Sequence, residues 1–284
     1  MTSISQFISA LSQYNFLQTA LITAILVGVM SGIIGSFIIL RGMSLMGDAI
    51  SHAVLPGVAV AYMLGINLLF GASVFGILAA MLIGYVASHS KLKSDTAIGI
   101  VVSAFYALGF ILISLAESAS NLHLILFGNV LAVSDGDLIT TTCVLIVVIL
   151  FIVLFYKELL ITSFDTTFAQ TYGLKTQAIH YALMLILTLV TVSSLQTVGI
   201  ILVVAMLITP AATAFLWTDK LHVMLVYSGV FGAVAALVGL FISYTFNLAS
   251  GPAIVLVAAI LFGISFLVSP KQGILFKVNL SNHH

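Results

Sequence analysis

The sequence predicts an all-α protein, a polytopic bundle of about eight to nine membrane-spanning helices. Three observations predict it. Of the 284 residues, 62% are hydrophobic and only 6% are charged, where soluble domains carry roughly a quarter charged residues. The apolar runs are continuous and do not alternate, and several approach the ~20 residues a helix needs to cross the hydrocarbon. Only helices and closed barrels satisfy their backbone hydrogen bonds there, and unbroken apolar runs fit helices. One compact bundle accounts for the whole length, residues 1–284, with no separate soluble domain.

Nine spans follow in order: Phe16–Leu40, Gly47–Leu64, Leu68–Ser88, Thr96–Ala116, Leu138–Leu159, Ile179–Leu195, Val198–Leu216, Val223–Phe246 and Ala253–Val268. The pair around Gln196 to Gly199 forms a tight hairpin or a broken pair. Leu122–Val133 is apolar but too short to cross, and fits a re-entrant or interfacial segment. With nine spans, Arg41, Lys91, Lys93, Lys157, Lys175, Lys220, Lys271 and Lys277 all fall on one side. Basic residues collect on the cytoplasmic side, so the amino terminus is expected outside and the carboxyl terminus inside. Merging the two spans at Gln196 would split the charges. Gly28 and Gly32, and separately Ala53, Gly57 and Ala61, repeat small residues at the spacing that lets helices pack closely.

The composition also excludes functions. A formal net charge of zero offers no nucleic-acid footprint, and Cys143 as the sole cysteine allows no internal disulfide or thiolate cluster. The first fifteen residues lack the basic start of a signal peptide, so none is expected. His283 and His284 carry no weight. No GxxxxGK[ST] loop is present, so the chain is not expected to hydrolyse nucleotide, and no catalytic triad or paired-carboxylate pocket is evident.

The second span holds the most informative residues, in GDAISHAVLPG (Gly47–Gly57). Asp48 and His52, four residues apart, are neighbours on one helix face. An ionised Asp inside a span costs at least ~2.5 kcal/mol, so such a group pairs, faces a cavity or does work. Pro56 has no N–H and deprives the His52 carbonyl of its helical donor. Carboxylate, imidazole and carbonyl together suit a divalent transition metal such as Mn²⁺, and zinc as well. Alternatively, the pair is a buried hydrogen bond locking two helices. The seventh span repeats the irregularity: Pro210 deprives the Met206 carbonyl, and Thr209 and Thr213 share a face. Broken helices with freed carbonyls line ion paths, while a simple proline kink with back-bonded threonines is the alternative. Asp95, Asp135 and Asp137 suit helix starts, Glu117 and His123 an external edge, and His180 and His222 a cytoplasmic interface.

Between the fifth and sixth spans lies SFDTTFAQTYG (Ser163–Gly173). Phe164, Phe168 and Tyr172 recur every four residues on one aromatic face. Ser163 is placed to cap a short helix and Gly173 to end it. Such a face packs back on the bundle, lies on lipid, or docks a cytosolic subunit.

Five blocks together resemble the integral permease subunit of the manganese/zinc/iron ABC importers: RGMSLMGDAISHAVLPGVA (Arg41–Ala59), LFGNVLAVS (Leu126–Ser134), ITSFDTTFAQTYG (Ile161–Gly173), VGIILVVAMLITPAATA (Val198–Ala214) and GPAIVLVAAILFGISF (Gly251–Phe266). The first block is closer to the manganese branch of Gram-positive bacteria. The resemblance implies a fold related to the cobalamin and siderophore importer permeases and a place in the bacterial cell membrane. It implies a homodimer, two cytosolic ATP-binding subunits and an extracellular metal-binding protein. It implies metal contact by Asp48 and His52 in passage, with no permanently bound cofactor. Pathway candidates are Pro56, Met206, Thr209 and Pro210. The segment 163–173 matches the coupling segment, with Phe164, Asp165, Phe168, Ala169, Tyr172 and Gly173 toward the ATPase. Carriage of zinc or ferrous iron by the same machine, a proton-coupled carrier using the Asp48–His52 pair, and a non-transporting receptor are the competing expectations.

Overall fold

In the computed structural model, residues 4–115, 130–269 and 271 are described. They form thirteen α-helices: α1 (Ile4–Gln13), α2 (Asn15–Leu40), α3 (Leu45–Ala53), α4 (Leu55–Leu64), α5 (Leu68–His89), α6 (Ser94–Leu115), α7 (Asp135–Leu154), α8 (Tyr156–Phe164), α9 (Thr166–Thr171), α10 (Thr176–Val198), α11 (Ile200–Trp217), α12 (Leu221–Phe246) and α13 (Ser250–Val268). Val130–Ala132 adds a 3₁₀ turn, and no strand occurs among the described residues. Glu117, His123, Lys277, His283, His284 and most of Leu122–Val133 lie outside them.

Among the described residues, eight helical segments are long and apolar enough to cross a membrane, with α3 and α4 counted as one. The break expected around Gln196 to Gly199 is present, and the seventh expected span, Val198–Leu216, is α11. Gly199, at φ +81°, breaks the chain between α10 and α11. The polar turn after Trp217 then ends α11, whose apolar stretch Leu202–Trp217 falls below span length. At 18 residues, α11 rises about 27 Å against ~30 Å of hydrocarbon. Two other spans differ. Gly47–Leu64 starts at Leu45 and is interrupted at Val54. Leu138–Leu159 is divided at Phe155 (φ −109°, ψ 22°), so the spanning helix runs from Asp135 to Leu154. Its start is fixed as the sequence suggests: the Asp137 carboxylate accepts from the Ser134 amide at 3.0 Å and its hydroxyl at 2.7 Å.

The chain divides into two compact units. The first holds α1, α2 as far as Ile39, the opening of α7 through Thr142, and from Ala205 the rest of α11 with α12 and α13. Here the predicted Gly28 and Gly32 face does its packing. A Cβ on Gly28 would stand 2.6 Å from the Gly232 carbonyl oxygen, and one on Gly32 would stand 2.5 Å from that of Ser228. The Ser36 hydroxyl donates to Ser228 across the same crossing at 3.0 Å. Phe7 anchors α1, its ring edge-on to Phe241 at 5.2 Å and to Tyr244 at 5.5 Å. Past α13, the Ser269 hydroxyl donates to the Leu216 carbonyl and Lys271 pairs with Asp219.

The second unit holds Leu40 through α6 and Cys143 through Val204. Ala53, Gly57 and Ala61 again pack as a small-residue face. The backbones of Gly57 and Gly71 meet so closely that neither tolerates a Cβ, and Ala61 also rests on Gly71. Gly76 admits the Thr188 methyl, Gly84 admits the Tyr181 ring, and Gly109 of α6 lies against Leu55 and Pro56. α6 and α7 leave most of their apolar surface outside the packing, as lipid-facing helices do.

Candidate functional site

Asp48 and His52 both stand on α3, in the second unit. The His52 Nε2 lies 3.4 Å from an Asp48 carboxylate oxygen, as their one-turn spacing demands. The pair is open: side-chain exposure is 31% for His52 and 48% for Asp48. The other face of the imidazole is closed. Tyr106 sets its ring edge-on to His52 at 5.2 Å and 87°. His52 Nδ1 is buried and has no hydrogen-bond partner. One nitrogen is therefore sealed and the other turned toward the carboxylate, which is the more exposed partner of the pair. Tyr106 was not singled out from sequence; an aromatic among many in apolar helices carries no signal of its contact.

The helix ends one residue past His52. Val54 keeps right-handed helical angles (φ −78°, ψ −15°), and its amide bonds the Ile50 carbonyl at 3.1 Å. That amide also leans on the His52 carbonyl, which is thus not wholly freed. Pro56 falls in the first turn of α4, where a missing N–H does no harm. Gly109 leaves space for the proline ring. The proline thereby ends the pair's helix without turning the chain away.

The other candidates, Met206, Thr209 and Pro210, stand on α11 in the first unit. Pro210 lies inside the helix, so the Met206 carbonyl has no i+4 amide. Met206 itself is buried. The Thr213 hydroxyl donates to the Thr209 carbonyl at 2.7 Å, the back-bonding expected of a kinked helix. No group of three or more His, Cys, Asp or Glu able to hold a metal occurs among the described residues.

Sequence reading also passed over a hydroxyl row. On α10, Thr191, Ser193 and Ser194 are buried with hydroxyls that have no partner, while Thr188 and Thr197 bond back to their own helix. The signal is the density of Ser and Thr in TLVTVSSLQT (Thr188–Thr197) within an apolar run.

The aromatic segment is built from two helices. Asp165, not Ser163, caps the short one: its carboxylate accepts from the Phe168 amide at 2.8 Å. Ser163 belongs to α8 and its hydroxyl accepts from Arg41 Nε at 3.3 Å. Gly173 ends α9 as expected. It takes φ +85°; its amide bonds Gln170 and that of Leu174 bonds Ala169, both at 3.0 Å, the paired bonds of a glycine cap. Ala169 is fully buried and pins the helix, while Phe164, Phe168 and Tyr172 are 58%, 55% and 72% exposed. Phe168 and Tyr172 stack with centroids 6.1 Å apart.

A bundle of membrane-length helices, one of them carrying an acid–histidine pair, defines a polytopic membrane protein. The chain belongs to the ABC 3 transport family, which it matches over residues 13–269. It is 64% identical over 270 residues to the manganese transport system membrane protein MntC of Listeria monocytogenes, covering 95% of this chain and 96% of that one. It is 56% identical over 269 residues to the manganese import system permease protein ScaB of Streptococcus gordonii, covering 95% and 97%. A solved structure, PsaBC from Streptococcus pneumoniae in complex with Fab, superposes with TM-score 0.88 at 55% identity, covering 98% of this chain and all of that one.

Proposed function

We propose that this chain is the membrane permease of an ATP-binding-cassette importer that brings manganese into the cell. The Asp48–His52 pair, 3.4 Å apart and open on one side of an otherwise apolar helix, carries the reading. A carboxylate and an imidazole suit Mn²⁺, which accepts oxygen and nitrogen donors. Two side chains hold an ion weakly enough to release it, and water or hydroxyl oxygens complete its shell. The manganese names of the relatives support the choice of metal. Pro56, Met206, Thr209 and Pro210 are proposed to line the path.

The whole chain works as one permease domain, paired with a second copy; with α11 as a short ninth crossing, its amino terminus lies outside and the basic ends of its helices lie in the cytoplasm. An extracellular metal-binding protein delivers the ion, and separate cytosolic subunits hydrolyse ATP. Elemental analysis of cells that depend on this permease tests the metal: its deletion should lower cell manganese and leave zinc and iron unchanged. A fall in zinc or iron instead would overturn the metal.

The segment Phe164–Gly173 is proposed to receive the ATPase. Asp165 and Gly173 fix the ends of α9, Ala169 seats it, and Phe164, Phe168 and Tyr172 offer an apolar face left mostly exposed by the described residues. Phe168→Asp should release the ATPase subunit in a pull-down and stop uptake, while the permease still inserts and dimerises. Unchanged ATPase capture would sink the assignment.

A further inference from the structure

Beside α9 the second unit holds a cavity of about 630 Å³. It opens where three spans end: α2 at Leu40, α5 at Ser88 and α10 at Thr176. Its lining includes the polar Arg41, Ser163, Gln177 and His180 and the apolar Leu40, Met43 and Ala87.

Arg41 is the unusual member. It is half-buried, and its Nη2 donates to Thr162 at 2.7 Å while Nε donates to Ser163. Both partners are neutral hydroxyls. A guanidinium has five N–H donors. The ion pairs among the described residues lie elsewhere, at Asp48–His52 and Asp219–Lys271. Burial pushes the Arg41 pKa down to about 10, with no carboxylate opposing it. The group still stays charged at neutral pH, and a desolvated charge without a counter-charge is unfavourable. The cavity therefore calls for an anion.

Its size and mixed lining say which kind. A single carboxylate would leave most of the volume empty and the apolar lining residues unused. A phosphodiester with a glycerol and the first acyl carbons uses both kinds of lining. Basic pockets between membrane helices take such headgroups. We infer that this cavity binds an anionic phospholipid, its phosphodiester on Arg41 and its glycerol and upper acyl carbons along Leu40, Met43 and Ala87. The site does not depend on which metal is carried or on Asp48 and His52.

Native mass spectrometry of the purified full-length permease, titrated with phosphatidylglycerol or phosphatidylcholine, tests it. The wild type should retain phosphatidylglycerol over phosphatidylcholine. Arg41→Gln should lose roughly five- to tenfold in that affinity, and Arg41→Lys should recover most of it. Ala87→Phe leaves the cation in place but fills the cavity, and should lose the lipid too; it carries the test if Arg41→Gln does not fold. Equal retention of both lipids by the wild type, or unchanged retention in both variants, overturns the inference. So does full competition by inorganic phosphate at matched concentration, which marks a small-anion site. Loss of ATPase co-purification in Arg41→Gln with lipid retention unchanged also overturns it, and assigns Arg41 to an acidic side chain of the ATPase.

Discussion

His52→Ala and Asp48→Ala will each lower manganese uptake on the order of 100-fold at matched expression, at least the upper end of what loss of an outer-shell partner of a metal ligand does. The two side chains are the ionisable donors of α3, and removing either leaves an ion with one. The effect is expected in transport and not in folding. Asp48 is 48% and His52 31% exposed, so truncation removes little of the packed volume whose loss destabilises cores. The melting temperature of the purified protein should therefore stay close to that of the wild type. Asp48→Asn sharpens the point. It keeps the shape and a hydrogen-bonding group beside Nε2 but removes the charge, and it should lose nearly as much uptake as Asp48→Ala. Uptake of radioactive manganese, measured beside thermal denaturation, separates the alternatives. Normal uptake in Asp48→Asn would mean that the pair is a structural hydrogen bond. A large drop in melting temperature in all three variants would lead to the same conclusion.

Much of this site was legible from spacing alone. Four residues separate Asp48 from His52, and a helix makes that a contact without help from elsewhere. Gly173 was legible for the same local reason, since a left-handed cap wants glycine. The readings that failed depend on distant partners or on backbone geometry that hydropathy does not record. Ser163 and Asp165 are both good caps. Arg41, 122 residues away, takes the Ser163 hydroxyl and leaves Asp165 to cap. The break at Phe155 sits in an apolar run, so no change of polarity announces it. Tyr106 meets His52 from a different helix, α6, and only folding brings them together.

The crossing of α2 and α12 gives the largest expected effect on stability. A Cβ at Gly28 would lie 2.6 Å from the Gly232 carbonyl oxygen and 2.7 Å from its carbon. Those atoms are backbone, so no side-chain rotation relieves the clash; the helices must move apart. Separation also loosens the neighbouring contacts, the Gly32 approach to Ser228 and the Ser36–Ser228 hydrogen bond. Between membrane helices, packing and such hydrogen bonds do the work that hydrophobic burial does in water. Gly28→Ala is expected to destabilise by about 1–3 kcal/mol, the range for overpacking a well-filled contact, and Gly28→Leu by more. Gly263→Ala is the matched control. Gly263 also lies within a helix, but a Cβ there meets nothing within 4 Å. The same chemical change should then be neutral or slightly stabilising, because alanine favours helix by up to ~1 kcal/mol over glycine. Thermal denaturation followed by size-exclusion chromatography should order the three as Gly263→Ala, Gly28→Ala and Gly28→Leu, from most to least stable. Equal melting temperatures for the two alanine variants would refute direct backbone contact at Gly28.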